Sequence, residues 1–363
     1  MFTINPIKRG DRPMIETLLH TAVTQKASDI HLSVGVPPIF RINGSLITTD
    51  NSPLTQEDTL AIFQAITSVD QQARFQENGE LDFAFAINGL SRFRVNAYRQ
   101  RGFVAIAVRV LNESIVSLDE LGLPTVVKSL ARMPRGLVLI TGPTGSGKST
   151  TLAAMVDLIN YERSFHILTL EDPIEYLHQH RKCVISQREV PTDSTTFASG
   201  LKAALREDPD VIMVGEMRDA ETIGIAVTAA ETGHLVLASL HTCDAARTVD
   251  RIIDVFPPYQ QQQIRIQLAL TLQGIISQQL IPRCDGNGRT VAVEILMATP
   301  AVRNLIREGK THQISSVIQT GTKFGMQSMD FSLKMLYQRG VISYQDALAY
   351  SLNQENFIFL ADR

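Results

Sequence analysis

Apolar residues recur at helical spacing between positions 14 and 27, at Ile15, Leu18, Leu19, Ala22 and Val23, which predicts an amphipathic helix. Residues 1–13 are polar, carry two prolines and read as a short arm. Beyond the helix the period shortens. IHL and IFRINGSLI read as strands, with Asn43-Gly44 placed as a hairpin turn, and a second helix is expected over 55–67. Residues 80–111 alternate in three runs, LDFAFAI, RFRVNAY and FVAIAVRVL, separated by Asn88-Gly89 and Arg101-Gly102. That pattern predicts an antiparallel meander.

Residues 112–135 carry turn residues, one short helical stretch and Pro134, and mark a domain boundary. From Gly136 the pattern changes to short apolar runs alternating with helical periods. The runs are GLVLIT, HILTLED, DVIMVGE and HLVLASLHT, with helices expected from Lys148, near 196–206 and near 219–232. Such alternation predicts parallel α/β units. After Phe256-Pro257-Pro258 the chain reads as mostly helical, broken by a Gly-rich turn at 285–288. The expected organisation is a smaller α+β domain over 1–112, a linker over 113–135, an α/β domain over 136–300 and a helical part over 301–363.

Composition narrows the classes. The 363 residues are 44% hydrophobic and 20% charged, which suits an ordinary multidomain globular chain. The net charge of −3 argues against a whole-surface nucleic-acid binder. The cysteines Cys183, Cys243 and Cys284 form neither a disulfide framework nor a zinc motif and suit a reducing compartment. No apolar run approaches the roughly 18–20 residues that span a bilayer, and the start has no apolar signal-peptide centre, so the expectation is a cytoplasmic protein not inserted in the membrane.

The strongest chemical signal is GPTGSGKST: Gly142, Pro143, Thr144, Gly145, Ser146, Gly147, Lys148, Ser149 and Thr150. It follows an apolar run and opens a helical period, the context of a phosphate-binding loop. Glycines let the backbone wrap a β-phosphate, and a helix N-terminus adds oriented N–H groups. Lys148 is expected to reach the β- and γ-phosphates of ATP and the Ser149 hydroxyl to coordinate Mg²⁺.

Two later runs end in carboxylates, Glu171-Asp172-Pro173-Ile174-Glu175 and Gly215-Glu216. In parallel sheets ligands gather beyond the carboxyl ends of strands, so these acids are expected to face the loop. Glu216 is the candidate for orienting water and Glu175 a second polariser, while Glu171 and Asp172 have the alternative of shaping the turn. Gly215 stands where a Walker-B aspartate would, which leaves Mg²⁺ mainly to Ser149, phosphate oxygens and water. His234 and His241 bracket LVLASL. His241, at the carboxyl end, is the candidate γ-phosphate sensor, and strand position makes His234 the weaker one.

If Arg101-Gly102 is a two-residue turn, Arg94 and Arg109, each seven residues from it, face each other. Like charges directly opposite are unfavourable without an anion nearby. The pair is therefore expected to meet phosphate, acting in trans as arginine fingers. The alternative is a solvated pair on an exposed sheet face.

GPTGSGKSTTLAAM, ILTLEDPIEY, LREDPDVIMVGEMRD and TAAETGHLVLASLHT resemble the Walker A, Asp box, Walker B and His box of the type II/IV secretion ATPase superfamily. More narrowly, ASDIHL, LSRFRVNAY, CVISQREV, VRNLIREGKTHQI and GMQSMD are similar to those of the type IV pilus retraction ATPases that power twitching motility. The resemblance implies a PAS-like N-terminal domain joined to a RecA-like P-loop ATPase core, assembled as a homohexamer that works on an inner-membrane pilus platform protein. It also implies catalytic roles for Glu175, Glu216, Arg94, Arg109 and both His-box histidines, which raises His234. LYQRGVISYQDALAY and CDGNGR look more like the accessory paralogue of these motors.

Overall fold

In the computed structural model the backbone is described for residues 12–354 except 43, 88, 112–113 and 287, and for 357–358; side chains are described from residue 14. Residues 1–11 of the arm expected over 1–13, Asn43 and Asn88 of the two expected turns, and the start of the expected linker lie outside these residues, while Arg12 and Pro13 already belong to the first helix. The chain divides into two units, Met1–Ser114 and Ile115–Arg363.

The first unit is α+β. Helices α1 (Arg12–Thr24), α2 (Gln56–Ile66) and α3 (Val69–Asn78) accompany strands β1 (Asp29–Leu32), β2 (Ile39–Ile42), β3 (Ser45–Thr48), β4 (Glu80–Ile87), β5 (Ser91–Gln100) and β6 (Phe103–Leu111). The sheet order is β3-β2-β1-β6-β5-β4, antiparallel throughout. The meander forms with the expected register: Gln100 pairs with Phe103 across Arg101-Gly102, and Arg94 pairs with Arg109. Arg101 and Gly102 both have positive φ, the type I′ requirement of a tight hairpin. Helix α3 escapes the hydrophobic pattern because only Phe75 of its ten residues is buried. That ring packs on Phe63 of α2 with centroids 4.6 Å apart.

The second unit is built on a seven-stranded sheet of order β13-β12-β7-β11-β10-β8-β9. Its strands are β7 (Gly136–Thr141), β8 (His166–Glu171), β9 (Val184–Glu189), β10 (Val211–Val214), β11 (Leu235–Leu240), β12 (Leu272–Pro282) and β13 (Arg289–Met297). All neighbours are parallel except β12 and β13. Every residue of β7, β10 and β11 is buried, so these strands read as continuous apolar runs, as a sheet covered on both faces requires. Leu137 and Leu139 face one core with α6 (Phe197–Ala204), α7 (Ala220–Glu231), α8 (Ala245–Asp254) and α9 (Pro258–Thr271). Val138 and Ile140 face the other, with α4 (Val126–Ala131) and α5 (Lys148–Glu162).

Two expectations change here. Leu118, Leu123, Val127, Leu130 and Ala131, within the stretch read as a linker, are buried in that second core. The stretch after Phe256 is not mostly helical: β12 and β13 form an antiparallel hairpin around the 285–288 turn. The apolar runs flanking that turn were its signal, but interspersed glutamines obscured it. The helices α10 (Pro300–Glu308), α11 (Ile314–Thr320), α12 (Met329–Gln338) and α13 (Tyr344–Tyr350) follow. Met329, Leu333, Ala347 and Phe357 pack against Ile281 and Ala292 of the hairpin. Among the described residues no helix is long and apolar enough to cross a membrane.

Candidate functional site

Strands β7, β11, β10 and β8 all deliver their carboxyl ends to one edge of the sheet. β7 runs into the Gly-rich loop, β11 leads into His241, β10 into Gly215-Glu216 and β8 into Asp172. β11 lies between the loop strand and the Glu216 strand.

The loop takes its shape from glycine. Gly142, Gly145 and Gly147 have φ of +144°, +77° and +88°, which residues with a Cβ rarely adopt. A Cβ on Gly142 would collide with the Gln278 carbonyl and the Ser146 hydroxyl. Pro143, Thr144 and Gly145 form an exposed crest, while Ser146 and Lys148 are buried at its base. Gly147 caps α5, whose first N–H groups carry the helix's partial positive charge. This donor set is built for a phosphate chain.

Lys148 lies inside the loop. Its Nζ donates to the carbonyl oxygens of Gly142 at 2.9 Å and Pro143 at 3.0 Å, and lies 3.4 Å from His241 Nδ1. Burial pulls the lysine below its usual pKa, and the charges of Glu216 and Glu175 oppose that pull. The other His241 nitrogen, Nε2, is 3.1 Å from Glu216 Oε1. An ammonium can only donate, so Nδ1 accepts from Lys148 and Nε2 carries the proton toward Glu216. His241 thus links the loop lysine to the β10 glutamate.

Glu216 Oε2 accepts from Arg218 Nη2 at 2.8 Å. Burial works to raise the Glu216 carboxyl, but the hydrogen bond and charge of Arg218 and the His241 hydrogen bond outweigh it, and the net shift is downward. The carboxylate is held ionised, as a water-orienting group requires. Gly215 is needed beside it: its N–H donates to the Leu170 carbonyl at 2.7 Å, and a Cβ would press on Leu170 and Glu171.

Glu175, partly buried, lies near enough to act on the charge of Lys148. Its loop is tied to α5 by Tyr176, whose hydroxyl lies 2.8 Å from Thr150 Oγ1. Glu171 is buried, pushed up to about 7 by that burial, and accepts from Thr169 at 2.7 Å and Gln187 at 3.2 Å. These bonds serve the shape of the strand end.

His234 is not brought to this cluster. It precedes β11 at the amino edge of the sheet, where its Nδ1 lies 2.9 Å from the Ala229 carbonyl and closes the end of α7. The strand it shares with His241 separates the two by its whole length.

Arg94 and Arg109 belong to the first unit. Along the pairing register Arg41, Asp29, Arg109 and Arg94 form one row across β2, β1, β6 and β5. Arg109 Nε donates to Asp29 Oδ1 at 2.9 Å, and Arg41 Nε lies 3.9 Å from the same carboxylate. The anion that relieves the arginine pair is therefore partly internal. Asp29 and Arg41 went unread because the ASDIHL and IFRINGS strands are too short to show their register. Arg218 and the Ser277-Gln278 pair of β12 were also missed; polar residues inside an apolar run were the only sign of the latter.

A Gly-rich loop closing an inner strand of a mostly parallel sheet, a lysine inside it and a glutamate two strands away define a RecA-like P-loop ATPase. The model of the Type II/IV secretion system protein family matches residues 9–343, and the chain belongs to that family. It is 48% identical to the type IV pilus retraction ATPase PilT of Pseudomonas aeruginosa over 94% of this chain and 99% of that one. It is 43% identical to the type IV pilus ATPase PilU of the same organism over 93% and 88%. A crystal structure of the pilus retraction motor PilT with bound ADP superposes with a TM-score of 0.88 at 46% identity, over 94% of this chain and 98% of that one.

Proposed function

We propose that this protein is the ATP-driven retraction motor of a type IV pilus, working as a homohexameric ring at the cytoplasmic face of the inner membrane on a platform protein of the pilus machinery. The near end-to-end likeness to PilT carries this reading, and the site geometry supports the chemistry.

ATP lays its β- and γ-phosphates over the glycines and the start of α5, where Lys148 neutralises them. Ser149, the second residue of that helix, would hold Mg²⁺, which when bound offsets phosphate charge and fixes the γ-phosphate's orientation. Glu216, aided by Glu175, orients the attacking water. The γ-phosphate competes for the proton on His241 Nε2, and this exchange releases Glu216 toward water only when nucleotide is present. Arg94 and Arg109 from a neighbouring subunit stabilise the developing charge. Hydrolysis then changes the position of one subunit's N-terminal domain against its neighbour's ATPase domain, and these steps around the ring drive pilus disassembly.

Deletion of the gene separates retraction from extension. Loss of a retraction motor leaves surplus surface pili and no twitching, whereas a bald cell would identify an extension or secretion-assembly ATPase. A second reading, the accessory paralogue, is favoured by the C-terminal LYQRGVISYQDALAY stretch. It is the better one if twitching persists in the deletion strain and stops only when a second retraction motor is removed.

A further inference from the structure

Strand β12 braces the phosphate loop at both ends. At the entry the Thr141 and Ser277 hydroxyls hydrogen-bond at 2.8 Å from paired positions on β7 and β12. One residue on, the Gln278 carbonyl packs against Gly142 so closely that no Cβ fits there. At the exit, Gln278 Nε2 donates to the Ser146 carbonyl at 2.8 Å.

Gln278 is only 1% exposed, and its Oε1 has no hydrogen-bond partner among the described residues. A buried amide with half its capacity unused is costly, so its contribution lies at the NH₂ end. In a trans peptide the C=O of one residue and the N–H of the next point in opposite directions. Pinning the Ser146 carbonyl to β12 therefore turns the Gly147 N–H away from β12. Gly147 has φ of +88°, a region where glycine has more than one accessible peptide orientation, so the loop's own sequence does not fix this peptide.

We propose that Gln278 is a positioning residue of the nucleotide site, holding the Ser146–Gly147 peptide so that its N–H faces the β-phosphate of a bound nucleoside diphosphate or triphosphate. This rests on the P-loop reading above. Gln278→Met keeps the length and apolar bulk and removes the donor; Gln278→Asn keeps an amide but shortens its reach. The measurements are ADP affinity by calorimetry, AMP affinity by competition with a fluorescent ADP analogue, kcat and KM for ATP, and melting temperature.

Loss of one neutral hydrogen bond predicts ADP binding weakened roughly 3–10-fold in both variants. AMP, which has no β-phosphate, binds as it does to the parent, and KM for ATP rises more than kcat falls. Unchanged ADP affinity in whichever variant folds overturns the proposal, as does equal weakening of ADP and AMP, since a side chain that only packs would act on both alike. Lys148→Ala is the control: if it binds ADP as the parent does, the P-loop reading fails, whatever Gln278 shows.

Discussion

The two sheets treat charge in opposite ways. The parallel sheet is covered on both faces, so its chemistry is confined to strand ends, where Lys148, His241, Glu216 and Arg218 occupy one another in sequence. The antiparallel sheet carries a charged row across its strands, with the Arg109 and Arg41 guanidiniums at the Asp29 carboxylate, Arg94 paired to Arg109, and the Arg109 side chain 63% exposed. The first is a chain of partnered groups that runs from the buried Lys148 out to the exposed Arg218 and is organised by its own contacts. The open row is only partly relieved by Asp29, so an outside anion would be favoured beside it. One unit holds a chain of paired charges, the other a row with positive charge in excess.

The sharpest way to break that contrast is Arg94→Ala or Arg109→Ala. If the row meets nucleotide, steady-state ATP turnover falls by about 10³-fold or more while ADP affinity changes far less. Turnover near that of the parent would make the row a solvated face. Glu216→Gln should lower turnover by about 10²–10⁴-fold with nucleotide binding intact, the expected loss of a positioned base.

A third test concerns stability. Glu294 is buried on β13, pushed up to about 7 by that burial, and accepts from the Ala245 N–H at the start of α8 at 2.9 Å. A folded pKa above the unfolded one means that the native state holds more protons between the two. The contribution of Glu294 to stability is therefore fully present below about 4.5 and is lost as pH rises through about 7. Glu294→Gln removes this dependence, so its advantage over the parent grows with pH, by at most on the order of 3 kcal/mol. Melting temperatures across pH 5–8 for the pair would show a constant difference if the carboxyl were instead ionised throughout.

The smallest contrast lies within one strand. His241→Ala cuts the link between Lys148 and Glu216 and should lower turnover about tenfold or more. His234→Ala removes a bond at the far edge of the sheet and should leave turnover within about twofold, with a stability loss of about 1 kcal/mol. Equal kinetic losses in both would contradict the separation of the two ends.

Much of this was legible because local physics decided it. The glycines, Lys148 and Ser149 announce a phosphate loop, since only that residue order permits the turn and the helix start. The pairing of Arg94 with Arg109 follows from a two-residue turn, which admits one register. β12 and β13 were not legible. A buried strand and a buried helix share an apolar run, and length and partner decide between them. Nor was α3, which has one buried side chain to show.

The amino-acid sequence by itself determined the kind of chemistry, because a phosphate loop is written in consecutive residues whose backbone freedom and charge are local properties. It also determined the register of the arginine pair. Tertiary structure alone decided which remote residues complete each group: His241 between Lys148 and Glu216, Arg218 on Glu216, Asp29 on Arg109 and Gln278 under the loop. The physical reason is that sheet order and register, set by burial of side chains far apart in the chain, bring these atoms within hydrogen-bonding distance, and no local pattern encodes that order.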